Sequence, residues 1–286
     1  MPQQLVISND KLKVTLSTVG AELQSVKHEG EERIWIGNPD FWGLHAPLLF
    51  PVCGALKGNT YNYEGNEYNM QMHGYVRFLE FYVENLSEHK VVFLHRSDEE
   101  TLKTFPFRYE LRVIYTICGS SIKIEYNIKN VENKKMYFSI GSHEAYNCPE
   151  GIEAYSVIFQ MAEDLNYSIY NNGLLENTTE NMGVGIKELP LKYEYFKNGA
   201  LTFLNLKSKE FMLVNQNNGK TIKLKIDENP TAFTIWTIPG HPYICLEPWC
   251  GMSDFTDNYS DIKNKKGIII LPEHEQKNIM HCIDFA

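Results

Sequence analysis

Hydrophobic residues recur at every second position through much of this chain, and that period sets its fold class. Leu12, Val14 and Leu16 alternate with Lys13, Thr15 and Ser17. Ile122, Ile124, Tyr126 and Ile128 alternate with Lys123, Glu125, Asn127 and Lys129, and Ile222, Leu224 and Ile226 with Lys223, Lys225 and Asp227. Successive side chains of a strand point to opposite faces, so each run predicts a strand with one buried and one wet face. Asn172-Gly173, Asn198-Gly199 and Asn218-Gly219 tolerate positive φ and predict tight hairpin turns. Gly119-Ser120 separates runs at 109–118 and 121–131, which read as one long hairpin. The best helical signal is Ser97-Asp98-Glu99-Glu100, a capping-box pattern that must stop before Pro106. No repeat, low-complexity tract or linker divides the chain. The expectation is an all-β fold: one large antiparallel β-sandwich domain over 1–286, with only short helical turns.

A hydrophobic fraction of 43% supplies a sizeable core. Lys plus Arg total 27 against 36 for Asp plus Glu, a net charge of −9. Such a surface repels phosphate backbones and anionic lipid, so neither nucleic acid nor membrane is an expected partner. Only five basic residues are Arg (Arg33, Arg77, Arg96, Arg108 and Arg112), which argues against an arginine clamp for a phosphorylated substrate. The apolar stretch at 44–56 is too short to span a bilayer and carries two prolines. The first ten residues have neither a basic start nor a long apolar run, so no secretion signal is expected. The six cysteines form no Cys-x-x-Cys pair and read as reduced thiols, consistent with a cytoplasmic protein.

Three segments interrupt the strand pattern: Met72-His73-Gly74-Tyr75-Val76-Arg77, Gly141-Ser142-His143-Glu144-Ala145-Tyr146-Asn147-Cys148-Pro149, and Tyr243-Ile244-Cys245-Leu246-Glu247-Pro248-Trp249-Cys250-Gly251. Each alone is weak. Glu247 follows an apolar run and precedes a proline, which places it at a strand end. A carboxylate entering there is partly desolvated, and Trp249 adds to that, moving its pKa toward a useful general base. His143 by itself reads as a loop histidine. Arg77 is equally a solvated arginine or a hydroxyl donor, and Trp236 is a candidate stacking wall for a sugar ring. His241 reads as a loop residue, and His274 and His281 as solvated surface residues matching no zinc spacing. Gly183-Val184-Gly185 lacks the strand and helix of a dinucleotide motif.

Taken together and in order, these segments resemble the aldose 1-epimerase (galactose mutarotase) family, in its LacX-like branch. Gly20-Ala21-Glu22-Leu23, Trp35, Pro47-Leu48-Leu49-Phe50-Pro51, Lys57, Phe105-Pro106-Phe107 and Ile128-Lys129-Asn130 extend the resemblance over nearly the whole chain. It implies a galactose mutarotase-like supersandwich with a monosaccharide bound in a concave face. It also implies interconversion of the α and β anomers of an aldose, with Glu247 as base, His143 as acid and His73 as a sugar-binding residue. Lys57, Arg77, Asn147 and Trp236 are further substrate-binding candidates. Ring opening needs a base at the C1 hydroxyl and an acid at the ring oxygen. The aldehyde then rotates and recloses, so no metal or other cofactor is required. The expected arrangement is a Glu⁻/His⁺ pair at opposite edges of one pyranose-sized hollow, in a monomer or weak homodimer.

Two positions depart from the family pattern. Ala55 stands where the branch usually has Arg, with Lys57 or Arg77 as substitutes. Glu144 stands where a Pro usually follows the catalytic histidine, and is expected to raise the His143 pKa or touch substrate. These departures keep alternatives open: a non-catalytic carbohydrate-binding or sensing protein on the same fold, a hydrolase or lyase pairing Glu144 with Glu247, and a sugar 6-phosphate epimerase, which the scarcity of Arg disfavours.

Overall fold

The computed structural model describes residues 3–228, 230–257 and 261–286. Met1 and Pro2 of the N-terminal stretch considered above lie outside the described residues. The chain is all-β, as its period-two pattern predicts. Two antiparallel sheets carry most of it. The back sheet has nine strands in the order Ile186–Pro190, Tyr155–Glu163, Glu210–Asn215, Thr221–Ile226, Gln276–Phe285, Ser121–Asn130, Tyr109–Cys118, Lys90–Arg96 and Tyr82–Leu86. The front sheet runs Ile140–Gly141, Tyr243–Cys250, Ala232–Trp236, Leu201–Phe203, Asn166–Asn171 and Leu174–Asn181, with Ala145–Asn147 also pairing to Tyr243–Cys250. A four-stranded sheet begins with Gln4–Ser8 and Leu12–Ser17. No helix among the described residues is long and apolar enough to cross a membrane.

Side-chain alternation builds the sandwich. Ile122, Ile124, Tyr126 and Ile128 are buried while the residues between them are partly or fully exposed. Their cross-strand partners Ile117, Tyr115, Val113 and Leu111 continue the buried face, so the long hairpin forms in the predicted register. Phe211 of the back sheet stacks on Phe233 of the front sheet with ring centroids 3.8 Å apart.

Two of the three Asn-Gly pairs close hairpins. Asn172 and Gly173 both hold positive φ between Asn166–Asn171 and Leu174–Asn181, and Gly219 does so before Thr221–Ile226. Asn198-Gly199 does not: it follows the 3-10 turn Tyr193–Phe196, and its Gly199 N–H donates to the Phe196 carbonyl, so the pair ends a helical turn. The single α-helix among the described residues, Glu99–Thr104, is capped by Asp98 with Thr101 rather than by Ser97, because Asp98 accepts from the Glu100 and Thr101 amides. His281, expected at the surface, is 2% exposed: it sits on the inward face of Gln276–Phe285.

Candidate active site

The strand Tyr243–Cys250 runs between the sandwich core and a hollow of about 430 Å³. Its even positions Ile244 and Leu246 join the main core. Its odd positions Glu247 and Trp249 line the hollow. Both faces are covered, which explains why this segment reads as an apolar run rather than an alternation. Glu247 is therefore in mid-strand, not at a strand end, and the strand continues through Pro248. The missing proline N–H does no harm because the neighbouring chain breaks there. Ile140–Gly141 and Ala145–Asn147 pair with Tyr243–Cys250 on either side of a gap at 142–144. The Ser142 N–H donates to the Pro248 carbonyl, and the Leu246 N–H to the Glu144 carbonyl, on that same edge.

The gap delivers His143. Gly141 precedes it at a position where a Cβ would meet Trp249 Cδ1 at 2.7 Å, so only glycine lets the strands approach. His143 Nε2 then lies 3.4 Å from Glu247 Oε2, without closing a hydrogen bond. The two are 8% and 1% exposed. They are adjacent, not at opposite edges as expected, because the gap faces the strand that carries Glu247. Burial drives the His143 pKa down to about 4 and pushes the Glu247 carboxyl well above the usual carboxylate range. The Trp249 indole N–H eases the Glu247 shift, but its geometry falls short of a hydrogen bond. Burial therefore favours a pair that shares one proton with both groups neutral, rather than Glu⁻/His⁺.

His73 arrives from the opposite wall. It holds φ +65°, and a Cβ on the following Gly74 would meet the Phe50 carbonyl oxygen at 2.0 Å, which explains the His-Gly pair. The Gly54 N–H donates to His73 Nδ1 at 3.1 Å, and burial holds the ring neutral, so the proton sits on Nε2. The His73 ring is 5.7 Å from that of His143 and 5.5 Å from that of Trp249. Arg77 lines the same hollow. Its Nη2 donates to the Met72 carbonyl at 2.9 Å, while Nη1 is buried without a partner. Trp236 stands edge-on to His143 at 5.6 Å.

Thus five predicted residues (His73, Arg77, His143, Trp236 and Glu247) meet in one hollow, and two do not. Lys57 is exposed on the 3-10 turn Lys57–Asn59, where its backbone N–H is tied to Asp254 and its side chain leaves toward solvent. Asn147 lies at the far end of Ala145–Asn147. It donates to the Glu32 carbonyl at 3.3 Å and lines a separate depression beside Arg33. Ala55 packs beside Gly173 of the Asn172-Gly173 turn. Glu144 faces away from the hollow: its Oε1 is 3.0 Å from Nε2 of buried His281 on the back sheet. It acts on His143 only as a small upward pull on the pKa, which burial overrides. Glu247 is then the sole carboxylate among the residues lining the hollow, which removes the Glu144–Glu247 hydrolase arrangement.

Sequence reasoning missed Trp42, which stacks over His143 with centroids 5.4 Å apart, and Asn172 and Asn198, which line the hollow from their turns. The Asn-Gly signal located both turns but carried no hint of what they face. Trp42 sits in the turn of Asn38-Pro39-Asp40-Phe41-Trp42, where an aromatic pair among turn residues was the available clue.

The aldose 1-epimerase family profile matches residues 3–278. Protein LacX (plasmid) of Lactococcus lactis subsp. lactis is 33% identical over 281 residues, spanning 93% of this chain and 94% of LacX. The crystal structure of a galactose mutarotase related enzyme from Lactobacillus acidophilus superposes with a TM-score of 0.94 at 28% identity, covering 99% of this chain and 97% of that one. A galactose mutarotase-like protein from Lactobacillus casei superposes with a TM-score of 0.93 at 27% identity, over 99% of this chain and 100% of that one.

Proposed function

Because the chain belongs to the aldose 1-epimerase family, we propose that it interconverts the α and β anomers of a free aldose, with Glu247 as base and His143 as acid. Membership supports an isomerase acting on carbohydrates; the residue roles rest on the site. The observation that carries them is the 3.4 Å approach of His143 Nε2 to Glu247 Oε2 inside the hollow. The two proton-transfer sites of mutarotation, O1 and the ring oxygen, are bonded to one carbon. They sit closer together than two hydrogen-bonded oxygens. An acid and a base a few ångströms apart on one wall can therefore reach both.

In the forward step Glu247 takes the C1 hydroxyl proton and His143 protonates the ring oxygen as the C1–O5 bond breaks. The aldehyde turns about C1–C2, and closure returns both protons. The neutral and ion-paired forms of the dyad hold the same single proton. Arrival of the sugar therefore only has to move that proton from Glu247 to His143. Neutral His73 offers an Nε2–H donor and Arg77 an unpaired Nη1 to the sugar oxygens. Trp42 and Trp236 wall the histidine and exclude water from it. Polarimetry on freshly dissolved α-glucose, α-galactose and their 6-phosphates tests the reading. Acceleration of a free aldose over buffer is expected. Tight sugar binding by calorimetry with no acceleration across the panel would instead identify a binding protein.

A further inference from the structure

One more side chain meets the acid–base pair and has no part in the proposed reaction. Cys245 lies two residues before Glu247, so the strand pleat turns both to the same face. Its Sγ, a ring nitrogen of His143 and a carboxylate oxygen of Glu247 all lie within 4.8 Å of one another, and all three residues are buried. Neither Glu247 oxygen has a hydrogen-bond partner although the residue is 1% exposed. Three different ligand types thus converge, with both carboxylate oxygens unpartnered. We propose that His143, Cys245 and Glu247 form a binding site for a borderline-soft divalent cation, zinc above all, whose occupancy blocks the acid–base pair.

The geometry matches that ion. Zinc bonds to imidazole nitrogen at about 2.0–2.1 Å and carboxylate oxygen at about 2.0–2.2 Å, which places the two ligand atoms about 3.4 Å apart around a tetrahedron. The measured separation of His143 Nε2 and Glu247 Oε2 is 3.4 Å. The thiolate completes a three-residue set, and His143 and Glu247 line the hollow from which a fourth ligand would reach the ion. Magnesium and calcium are poor occupants, because they require about six or more oxygen ligands and the set supplies one carboxylate. Burial keeps the free Cys245 thiol protonated. Coordination expels that proton and the one held by the His143–Glu247 pair to solvent, and the metal then holds a thiolate and a carboxylate. Both groups that would move protons on the sugar become ligands. The blocking effect rests on the function proposed above; the binding does not.

The test uses the full chain with Co²⁺ as spectroscopic probe and Zn²⁺ as competitor. One equivalent of Co²⁺ should give a near-ultraviolet thiolate-to-cobalt charge-transfer band that Zn²⁺ bleaches and Mg²⁺ leaves intact. Cys245→Ser and Cys245→Ala, each checked for folding by circular dichroism, should lose the band, while Cys250→Ser keeps it. Stoichiometric Zn²⁺ should lower wild-type anomer exchange at least tenfold. No band in the wild type, or a band that survives both Cys245 variants, overturns the site. A Cys245-dependent band with exchange unaffected by Zn²⁺ overturns the blocking. A Cys245-dependent band in a protein with no anomer exchange on any sugar upholds the site and removes the proposed function instead.

Discussion

At the scale of single residues, the account turns on where one proton resides. His143 and Glu247 are pushed by burial toward their neutral forms, the imidazole to about 4 and the carboxyl upward. The pair gains a second proton only as pH falls toward 4, and loses its single proton only above the usual carboxylate range. The acid limb of kcat/KM should therefore fall near pH 4. A limb near the ordinary imidazole value of about 6.5 would contradict the burial reading. Arg77 offers a buried, unpaired Nη1 to the hollow. Losing a charged hydrogen bond costs about 1.5–3 kcal/mol, so Arg77→Ala should raise KM by roughly 10–100-fold with a smaller change in kcat. His143 and Glu247 were singled out through the family resemblance, since each segment alone is weak. Lys57 was not excluded by its type. Its exposed place on a turn whose backbone is bonded to Asp254, 197 positions away, shows that it turns outward.

At the scale of elements, the site exists because one strand is continuous and its neighbour is broken. Tyr243–Cys250 passes through Pro248 where the partner strand gaps at 142–144, and the gap carries His143. The gap is pinned from behind by Glu144 and His281, 3.0 Å apart and both 2% exposed. Burial pushes the Glu144 carboxyl up, but the charge and hydrogen bond of His281 outweigh that and leave it below the usual carboxylate range. Its contribution to stability is present above the unfolded carboxylate pKa and is lost as pH falls through the lowered folded value. Removing one member of a buried pair strands the other, so His281→Leu should cost about 3–5 kcal/mol in urea unfolding. Glu144→Gln/His281→Gln should cost less, and equal losses in the two would refute the pairing. None of this was visible in sequence. Glu144 and His281 lie 137 positions apart, and His281, read as a surface residue, carries no sequence signal of the sheet it faces.

At the scale of the whole molecule, the period-two pattern marked the alternating strands, while tertiary pairing decided which strands neighbour one another. The 109–118 and 121–130 hairpin was legible because its partners are local. The placement of Gln276–Phe285 between Thr221–Ile226 and Ser121–Asn130 was not, because its partners on both sides are far away in sequence, Ile226 pairing with His281 and Ser121 with Asp284. One core joins both sheets, and Trp42, Trp236 and Trp249 all line the front-sheet hollow. Tryptophan fluorescence and far-ultraviolet circular dichroism should therefore share one denaturation midpoint. Separate midpoints would show that the sheets unfold independently. The most direct test of the acid–base pair is the anomer-exchange rate of wild type, Glu247→Gln, His143→Gln and the double variant, measured by NMR on the best aldose of the panel. Each positioned proton transfer contributes roughly 10²–10⁴ in rate, and residues acting as one unit are not additive. Either single variant should lose at least about a hundredfold, with the double variant little worse; a single variant that exchanges anomers at the wild-type rate would contradict the account.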